Sequence, residues 1–312
     1  DAFTSHGNGT ALNWHNQGAD AGLYENSDIH AVRILAMEPT TDRKGANSGR
    51  RYFNHAGERL RILGEIPLRK FIDKEQPIDP DGNPDTSFLA KIPADLGFTF
   101  QTIDKRGMVL NMSQTWHQLR PGEIRNDCGG CHSHSQKPTE FKLTAAARTE
   151  YMPFDLTRKT SLLTTKAKDE SKLKWDAKDE TGLRYQDGPK TVEYHRDIKP
   201  IFERSCVACH SGKSDKPGGN LVLDDDAMVK AQNPAGLGFD INVPGTYARI
   251  AADKQGKWGH KPLHRHGWAH LPNSASRYIR MMQSRRSLLI WKVYGERLDG
   301  WQNDDFPHER IP

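Results

Sequence analysis

Two short stretches of this chain pair cysteines with a histidine at a fixed spacing. Each reads C-x-x-C-H, and together they contain all four cysteines of the chain. In this arrangement the two thiols add to the vinyl groups of a haem, and the adjacent imidazole binds the iron from the same side. The spacing therefore predicts two covalently bound haem c groups. The residues concerned are Cys128, Cys131 and His132 in the first motif, and Cys206, Cys209 and His210 in the second.

Two other chemistries use paired cysteines. A zinc site of four cysteines has the right number of thiolates, but it requires no histidine after either pair. Histidine makes up only 14 of the 312 residues, so two such histidines are not expected by chance. A redox-active C-x-x-C belongs to a βα pattern, and neither motif has that context. Covalent haem attachment is the interpretation that accounts for all six residues.

The ligand on the far side of each iron decides the chemistry. A second His or Met gives a six-coordinate electron carrier, whereas an open position gives a catalytic or gas-binding haem. For the first haem, His117 is the leading candidate because it lies close upstream and follows a tryptophan. His55 is the next candidate. His195 precedes the second motif, and its position suits a ligand donated to the first haem. His134 lies too close to His132 to reach the opposite face, so it could bind the neighbouring haem or another metal.

For the second haem, one stretch of eleven residues contains four histidines: His260, His264, His266 and His270. We predict that one of these imidazoles is the distal ligand, and the cluster could alternatively bind zinc or copper. Met281 and Met282 are the other candidates, but packing in the core of a helix explains them without iron.

Composition limits the fold and the partners. Apolar residues are 35% of the chain, mean hydropathy is −0.80, and glycine and proline number 27 and 18. This low apolar content predicts a loop-rich fold whose core gains stability from packing against haem. The 45 basic and 40 acidic residues are mixed along the chain, which argues against a nucleic-acid-binding arm. No apolar run reaches the roughly 18 residues of a membrane span, and a first residue of Asp1 is expected for a mature or excised chain.

Hydrophobic periodicity predicts the elements that position the first motif. Strands are predicted at residues 31–37 and 60–68, and a hairpin at 98–103 and 109–112. Residues 157–190 are poor in aliphatic side chains and rich in mixed charge. They predict a solvated linker or an exposed helix.

Helices are predicted around the second motif. Residues 198–202 carry apolar side chains at helical spacing, with Asp197 as the N-cap and Cys206 just beyond the end. A longer helix is predicted at 274–295. The three aspartates at 224–226 are predicted to begin a helix rather than to bind calcium, because they lack the spacing of a calcium loop.

These elements predict an α+β, loop-rich fold. A β-rich unit carries the first haem, and a small α-helical, cytochrome c-like domain carries the second. The predicted boundaries are an irregular arm at 1–30, the β-rich domain at 31–156, a charged linker at 157–190 and the helical domain at 191–312.

Several stretches resemble the hydrazine synthase alpha-subunit-like family of dihaem c-type cytochromes. They lie ahead of both motifs and near the C-terminus, at residues 92–101, 121–123, 195–201, 284–289 and 298–305. The resemblance implies a β-rich middle unit with one haem, followed by a smaller helical haem unit. In hydrazine synthase a tyrosine just past the first motif holds the catalytic haem, and Gln136 stands at that position here. The resemblance therefore supports the architecture more than the reaction.

The motifs and the resemblance lead to two functional hypotheses. Because haem is attached covalently outside the cytoplasm, the predicted location is the periplasm or the cell exterior. The leading hypothesis is an electron-transfer cytochrome that serves other cytochromes or a respiratory complex, as a subunit of a hetero-complex or an oligomer. The alternative is a haem enzyme with one five-coordinate haem, either a peroxidase or a hydrazine synthase-like oxidoreductase of nitrogen compounds. Neither hypothesis involves nucleic acid.

Overall fold

The computed structural model describes part of the chain, and that part divides into two compact units. The described residues up to Lys190 belong to the first unit, and those from Thr191 belong to the second. No helix in the described part is both long and apolar enough to cross a membrane. The described residues are 24–38, 59–68, 76–113, 116–126, 128, 139–172, 181–232, 240–252, 278–279 and 284–299.

The first unit is built from strands, as predicted. Four of them form an antiparallel sheet in the order β2-β1-β4-β5, β7 and β8 form an antiparallel hairpin, and β3 and β6 form a short parallel pair. The strands described in this unit are β1 (Ala31–Glu38), β2 (Arg59–Pro67), β3 (Ala90–Lys91), β4 (Phe98–Ile103), β5 (Val109–Met112), β6 (Phe154–Asp155), β7 (Lys159–Thr165) and β8 (Thr181–Asp187). The strands and the hairpin predicted from periodicity are thus confirmed as β1, β2, β4 and β5.

Strand β1 lies inside the four-stranded sheet and is buried on both faces. On one face its side chains join the main core of the unit. On the other face Ala31 packs with Ile103 and Val109, and Leu163 of β7 covers them. The main core consists of Val32, Ile34, Ala36, Leu63, Ile66, Leu68, Phe98 and Leu156.

Gly64 is required for this packing. A Cβ atom at Gly64 would collide with the side chain of Leu156, which lies against β2. The missing side chain therefore allows Leu156 to enter the core.

Residues 157–190 form a hairpin in the described part, so the prediction of a linker or an exposed helix is wrong for them. Thr160 and Ser161 of β7 are almost fully buried. Their hydroxyl groups donate hydrogen bonds to the carbonyl oxygens of Gly188 and Glu65, at 2.8 and 2.9 Å. The charge-rich composition misled the prediction because the buried positions of β7 include small polar residues whose hydroxyl groups are satisfied by backbone.

Residues 24–30, predicted as the end of an irregular arm, belong to the first unit. They include a short 3₁₀ turn at Asn26–Asp28. The backbone N–H of His30 donates to the Ile103 carbonyl at 2.9 Å, and the His30 carbonyl accepts the Leu68 N–H at 3.0 Å. The chain is therefore fixed against the sheet just before β1 begins.

A buried ion pair and its hydrogen bonds join four strands of the first unit. The Arg33 Nη2 lies 2.7 Å from the Glu65 Oε1, and both side chains are largely buried. Arg33 also donates to the Gln101 Oε1 at 3.2 Å, and the second carboxylate oxygen of Glu65 accepts the Leu163 N–H at 2.5 Å. This network connects the sheet to the β7–β8 hairpin.

The described residues of the second unit form short helices and one strand pair. Strands β9 (Met228–Gln232) and β10 (Asp240–Pro244) are antiparallel. Short π-helical segments, Tyr194–Ile198 and Ala248–Ala252, adjoin α1 and α2. The helices described are α1 (Lys199–Ser205), α2 (Gly245–Tyr247) and α3 (Leu288–Tyr294).

Two helix predictions need correction. Asp197 does not cap α1, because it lies inside the preceding π-helical segment, where its Oδ2 accepts the Glu193 N–H at 2.7 Å. Within the described part of 274–295, the helix is limited to Leu288–Tyr294. It ends at Gly295, whose φ of 72° is the left-handed conformation that commonly terminates helices.

The buried ion pair yields a stability prediction. Glu65→Ala should lower the free energy of unfolding by about 3 kcal/mol or more, because it leaves the buried Arg33 guanidinium without its counter-charge. Urea denaturation followed by circular dichroism measures this loss. The matched control is Glu140→Ala, which removes an exposed ion pair with Lys142 and should leave the midpoint almost unchanged. Equal small effects for the two variants would contradict the role of the buried pair.

Candidate functional site

Helix α1 leads directly into the second C-x-x-C-H motif. The Cys206 N–H still donates to the Phe202 carbonyl at 2.8 Å, which continues the helical pattern. The N–H groups of Cys209 and His210 then both donate to the Cys206 carbonyl, at 3.1 and 3.0 Å. Because Phe202 is buried, α1 is anchored in the unit. The two cysteines and the histidine therefore lie on one tight turn.

The donor groups of this turn fit covalent haem. Cys206 is half-buried and Cys209 is exposed, and neither forms a disulfide. Two free thiols separated by two residues, followed at once by an imidazole, are the groups that a c-type haem requires. The arrangement keeps all three groups within one turn of backbone.

The His210 ring is held by a backbone carbonyl. Its Nδ1 lies 3.2 Å from the Leu221 carbonyl oxygen. A carbonyl oxygen only accepts hydrogen bonds, so this contact requires the proton on Nδ1 and leaves Nε2 with a lone pair. Metal-binding histidines commonly use the second ring nitrogen in this way, which fixes the tautomer and raises the basicity of the ligand.

The loop that carries Leu221 is tied to the motif. The Gly218 N–H donates to the Cys209 carbonyl at 2.7 Å, and the Leu223 N–H donates to the His210 carbonyl at 2.9 Å. A Cβ atom at Gly218 would lie only 3.2 Å from the Cε1 of His210, so glycine allows the loop to approach the imidazole closely. We call residues 217–223 the support loop.

The three aspartates that follow the support loop do not begin a helix, and that prediction is wrong. Their carboxylates instead bind three different segments. The two oxygens of Asp224 accept the Ser211 hydroxyl at 2.6 Å and the Gly212 N–H at 2.7 Å. The carboxylates of the other two form ion pairs, Asp225 with Arg249 and Asp226 with Lys199.

Hydrogen bonds also change the acidity of Asp224. The Ser211 hydroxyl, and next the Gly212 N–H, lower the pKa of the Asp224 carboxyl below its ordinary value. Both donors stabilise the charged form.

The first motif is only partly described. Cys128 is exposed and forms no disulfide. The other residues predicted for this haem lie outside the described residues, except His117 and His195. The residues of the first site that lie outside are His55, Cys131, His132 and His134. The four histidines predicted for the second haem also lie outside the described residues, namely His260, His264, His266 and His270.

His117 is half-buried against the four-stranded sheet. It exchanges two backbone hydrogen bonds with Phe98, each of 2.8 Å. Its ring centroid lies 5.8 Å from that of Phe98 and 5.4 Å from that of Phe100. Burial, and next the positive charge of Arg125, lower the pKa of the imidazole. His117 therefore favours the neutral form, which is the form that binds a metal.

His195 is in a different environment. Its side chain is exposed in the π-helical segment ahead of α1, and its ring lies 5.1 Å from that of Tyr194. Among the residues that the structure describes, no three His, Cys, Asp or Glu side chains converge as a metal cluster.

Comparison with known proteins finds similarity to the hydrazine synthase alpha subunit. Residues 27–133 match the model of the hydrazine synthase alpha subunit middle domain. The chain is 26% identical over 324 residues to hydrazine synthase subunit alpha from Kuenenia stuttgartiensis, an alignment that covers 91% of this chain and 34% of that protein. The predicted family resemblance is confirmed.

A solved structure supports the same fold. The chain superposes on Kuenenia stuttgartiensis hydrazine synthase with a TM-score of 0.51 and 20% identity, covering 92% of this chain and 35% of that one. The chain thus spans about a third of the length of the relatives it matches. The mixed α+β class with few helices agrees with this similarity.

Sequence reasoning missed the residues that support His210. Leu221 contributes only its backbone carbonyl, which every residue type has, so the sequence does not indicate this contact. The pair Gly218-Gly219 and the aspartate that ends the loop were the available signals, since close approach and loop closure favour those residue types.

The close approach at Gly218 yields a prediction. Gly218→Val should push the support loop away from His210, at a cost of about 1–3 kcal/mol, and reduce the fraction of chains that carry haem on the second motif. Mass spectrometry of the intact protein measures that fraction. Lys216→Val, on the exposed segment just before the support loop, is the control and should leave it unchanged. Full haem content in Gly218→Val would show that the contact is not needed.

Proposed function

We propose that this chain is a c-type cytochrome with two covalent haems that transfers electrons within a larger redox complex outside the cytoplasm. The observation that carries the proposal is the turn at residues 206–210, where two free thiols accompany an imidazole fixed by the Leu221 carbonyl. The first motif has the same residue types at the same spacing. Similarity to a hydrazine synthase alpha subunit over 91% of the chain supports a redox role.

The residues of the two motifs would have separate roles as haem anchors and iron ligands. Cys206 and Cys209 anchor one haem and His210 binds its iron, while Cys128, Cys131 and His132 hold the other by the same chemistry. When bound, each haem supplies a one-electron oxidation and reduction at iron. The protein contributes the thioether anchors, the orientation of the imidazole and the burial of one haem face. None of these roles requires a side chain that exchanges protons with a substrate.

The location and the partners follow from the same proposal. Covalent haem attachment takes place outside the cytoplasm, which favours the periplasm or the cell exterior. The relative from Kuenenia stuttgartiensis is named as a subunit, and this favours a hetero-complex in which other redox proteins exchange electrons with the chain.

The distal ligands are part of the proposal. We assign His117 to the first haem, because its imidazole is half-buried, favours the neutral form and lies beside two phenylalanine rings. We assign a histidine of the 260–270 cluster to the second haem. Two imidazoles on each iron would give low-spin, six-coordinate centres.

A haem enzyme is the second candidate, and the similarity to an enzyme subunit favours it. It requires one iron with an open position, where a substrate such as a nitrogen compound or a peroxide binds. The chain has Gln136 where the tyrosine of hydrazine synthase would stand, so its reaction would differ from hydrazine synthesis.

Low-temperature electron paramagnetic resonance of the oxidised protein distinguishes the two functions. The electron carrier predicts two low-spin ferric signals and no high-spin signal. A high-spin signal from one haem would contradict the carrier and support the enzyme.

The assignment of His117 is tested by one substitution. His117→Ala should convert one low-spin signal to high spin, because the first iron loses its distal ligand. Gln118→Ala is the control, since that side chain is the exposed neighbour of His117, and its spectrum should match the unaltered protein. If His117→Ala leaves both signals unchanged, His117 only packs against the phenylalanines and the ligand lies elsewhere.

A further inference from the structure

We propose that Asp224 is a positioning residue that sets the orientation of the His210 imidazole, and through it the electron affinity of the second haem. This inference rests on the proposed function, because it concerns the iron ligand of that haem. It concerns a carboxylate that lies outside the C-x-x-C-H motif and accepts hydrogen bonds from Ser211 and Gly212, just past the motif.

The first step is the link between His210 and the support loop. The hydrogen bond described for the ring runs from its Nδ1 to the Leu221 carbonyl at 3.2 Å. A shift of that carbonyl would turn the ring or lengthen the bond. Either change weakens the imidazole as an electron donor, because the hydrogen bond at Nδ1 raises the basicity of Nε2.

The second step is the position of the support loop. The residues between Ser211 and Pro217 are mostly exposed and polar, so they contribute little packing. Leu221 and Leu223 are buried and fix the far end of the loop. Backbone hydrogen bonds to Cys209 and His210 hold its two ends. These contacts bring the loop near the ring, and the bond between the Leu223 N–H and the His210 carbonyl already joins the two ends of the chain segment that follows His210.

Asp224 adds a side-chain closure to the same segment. Its Oδ2 accepts the Ser211 hydroxyl at 2.6 Å, and its Oδ1 accepts the Gly212 N–H at 2.7 Å. The carboxylate thereby joins the residue just past Leu223 to the two residues just past His210. Charge-assisted hydrogen bonds of this kind are about twice as strong as neutral ones. The base of the loop is therefore held by one backbone hydrogen bond and by the two hydrogen bonds that the Asp224 carboxylate accepts.

The neighbouring aspartates provide matched controls. Asp226 forms its ion pair with Lys199 at the start of α1, and Asp225 binds Arg249 next to α2. Neither carboxylate binds the segment after His210 in the contacts described. Asp226→Ala therefore removes an ion pair of the same unit and keeps both hydrogen bonds that Asp224 accepts.

The test uses the haem-loaded chain with Asp224→Ala, Ser211→Ala and Asp226→Ala. A mass measurement first establishes that the 206–210 peptide carries haem, and redox titration with electron paramagnetic resonance then gives the midpoint potential and g-values. We expect Asp224→Ala to raise the midpoint potential of one haem and shift its g-values, with the other haem unchanged. Ser211→Ala should give a smaller shift in the same direction, and Asp226→Ala should give none.

The outcomes separate this inference from the proposed function. If the unaltered 206–210 peptide carries no haem, the proposed function fails and this inference fails with it. If haem is present and both Asp224→Ala and Ser211→Ala keep the original potential and g-values, only this inference is overturned. An equal shift in Asp226→Ala also overturns it, because the effect would then be general loosening. Should Asp224→Ala fail to accumulate, Ser211→Ala alone decides, since it removes a single hydroxyl donor.

Discussion

Carboxylate side chains that accept backbone N–H groups hold the loops of this protein in place. A chain with 35% apolar residues has little core to fix its connections, and backbone N–H groups still require partners. Asp85 illustrates the solution: its carboxylate accepts the N–H groups of Ser87 and of Ala145, which is 60 residues further along. Asp169 joins its own turn to Leu183 in the same way. Asp224 repeats the device beside His210, so the candidate site uses the same interaction that organises the rest of the fold.

This shared interaction relates the fold to the chemistry of the site. In the first unit the carboxylate of Glu65 joins the sheet to the β7–β8 hairpin through Arg33 and Leu163. In the second unit the three aspartates at 224–226 are exposed or half-buried, and they brace short segments around the C-x-x-C-H turn. A haem bound there would add apolar surface to a unit whose own helices are short, with α1 and α3 of seven residues each. The cofactor would therefore contribute to folding as well as to electron transfer.

The sequence predicted the parts of the structure that depend on local pattern. Strands β1, β2, β4 and β5 were predictable because buried positions recur along them. The β7–β8 hairpin was missed because its buried Thr160 and Ser161 look hydrophilic until their backbone partners are known. The six motif residues are predicted from spacing alone. The contacts that support His210 were not predictable. The carbonyl that Leu221 contributes is present in every residue type, and the partners of Asp224 depend on how the loop closes.

The central claim is that both C-x-x-C-H motifs carry covalent haem, and peptide mass spectrometry of the denatured, digested protein tests it most directly. Thioether bonds survive denaturation, whereas a bound metal ion does not. The account predicts that the peptide containing Cys128 and Cys131 and the peptide containing Cys206 and Cys209 are each heavier by one haem. Unmodified thiols, a disulfide within either pair, or zinc released from the native protein would contradict it.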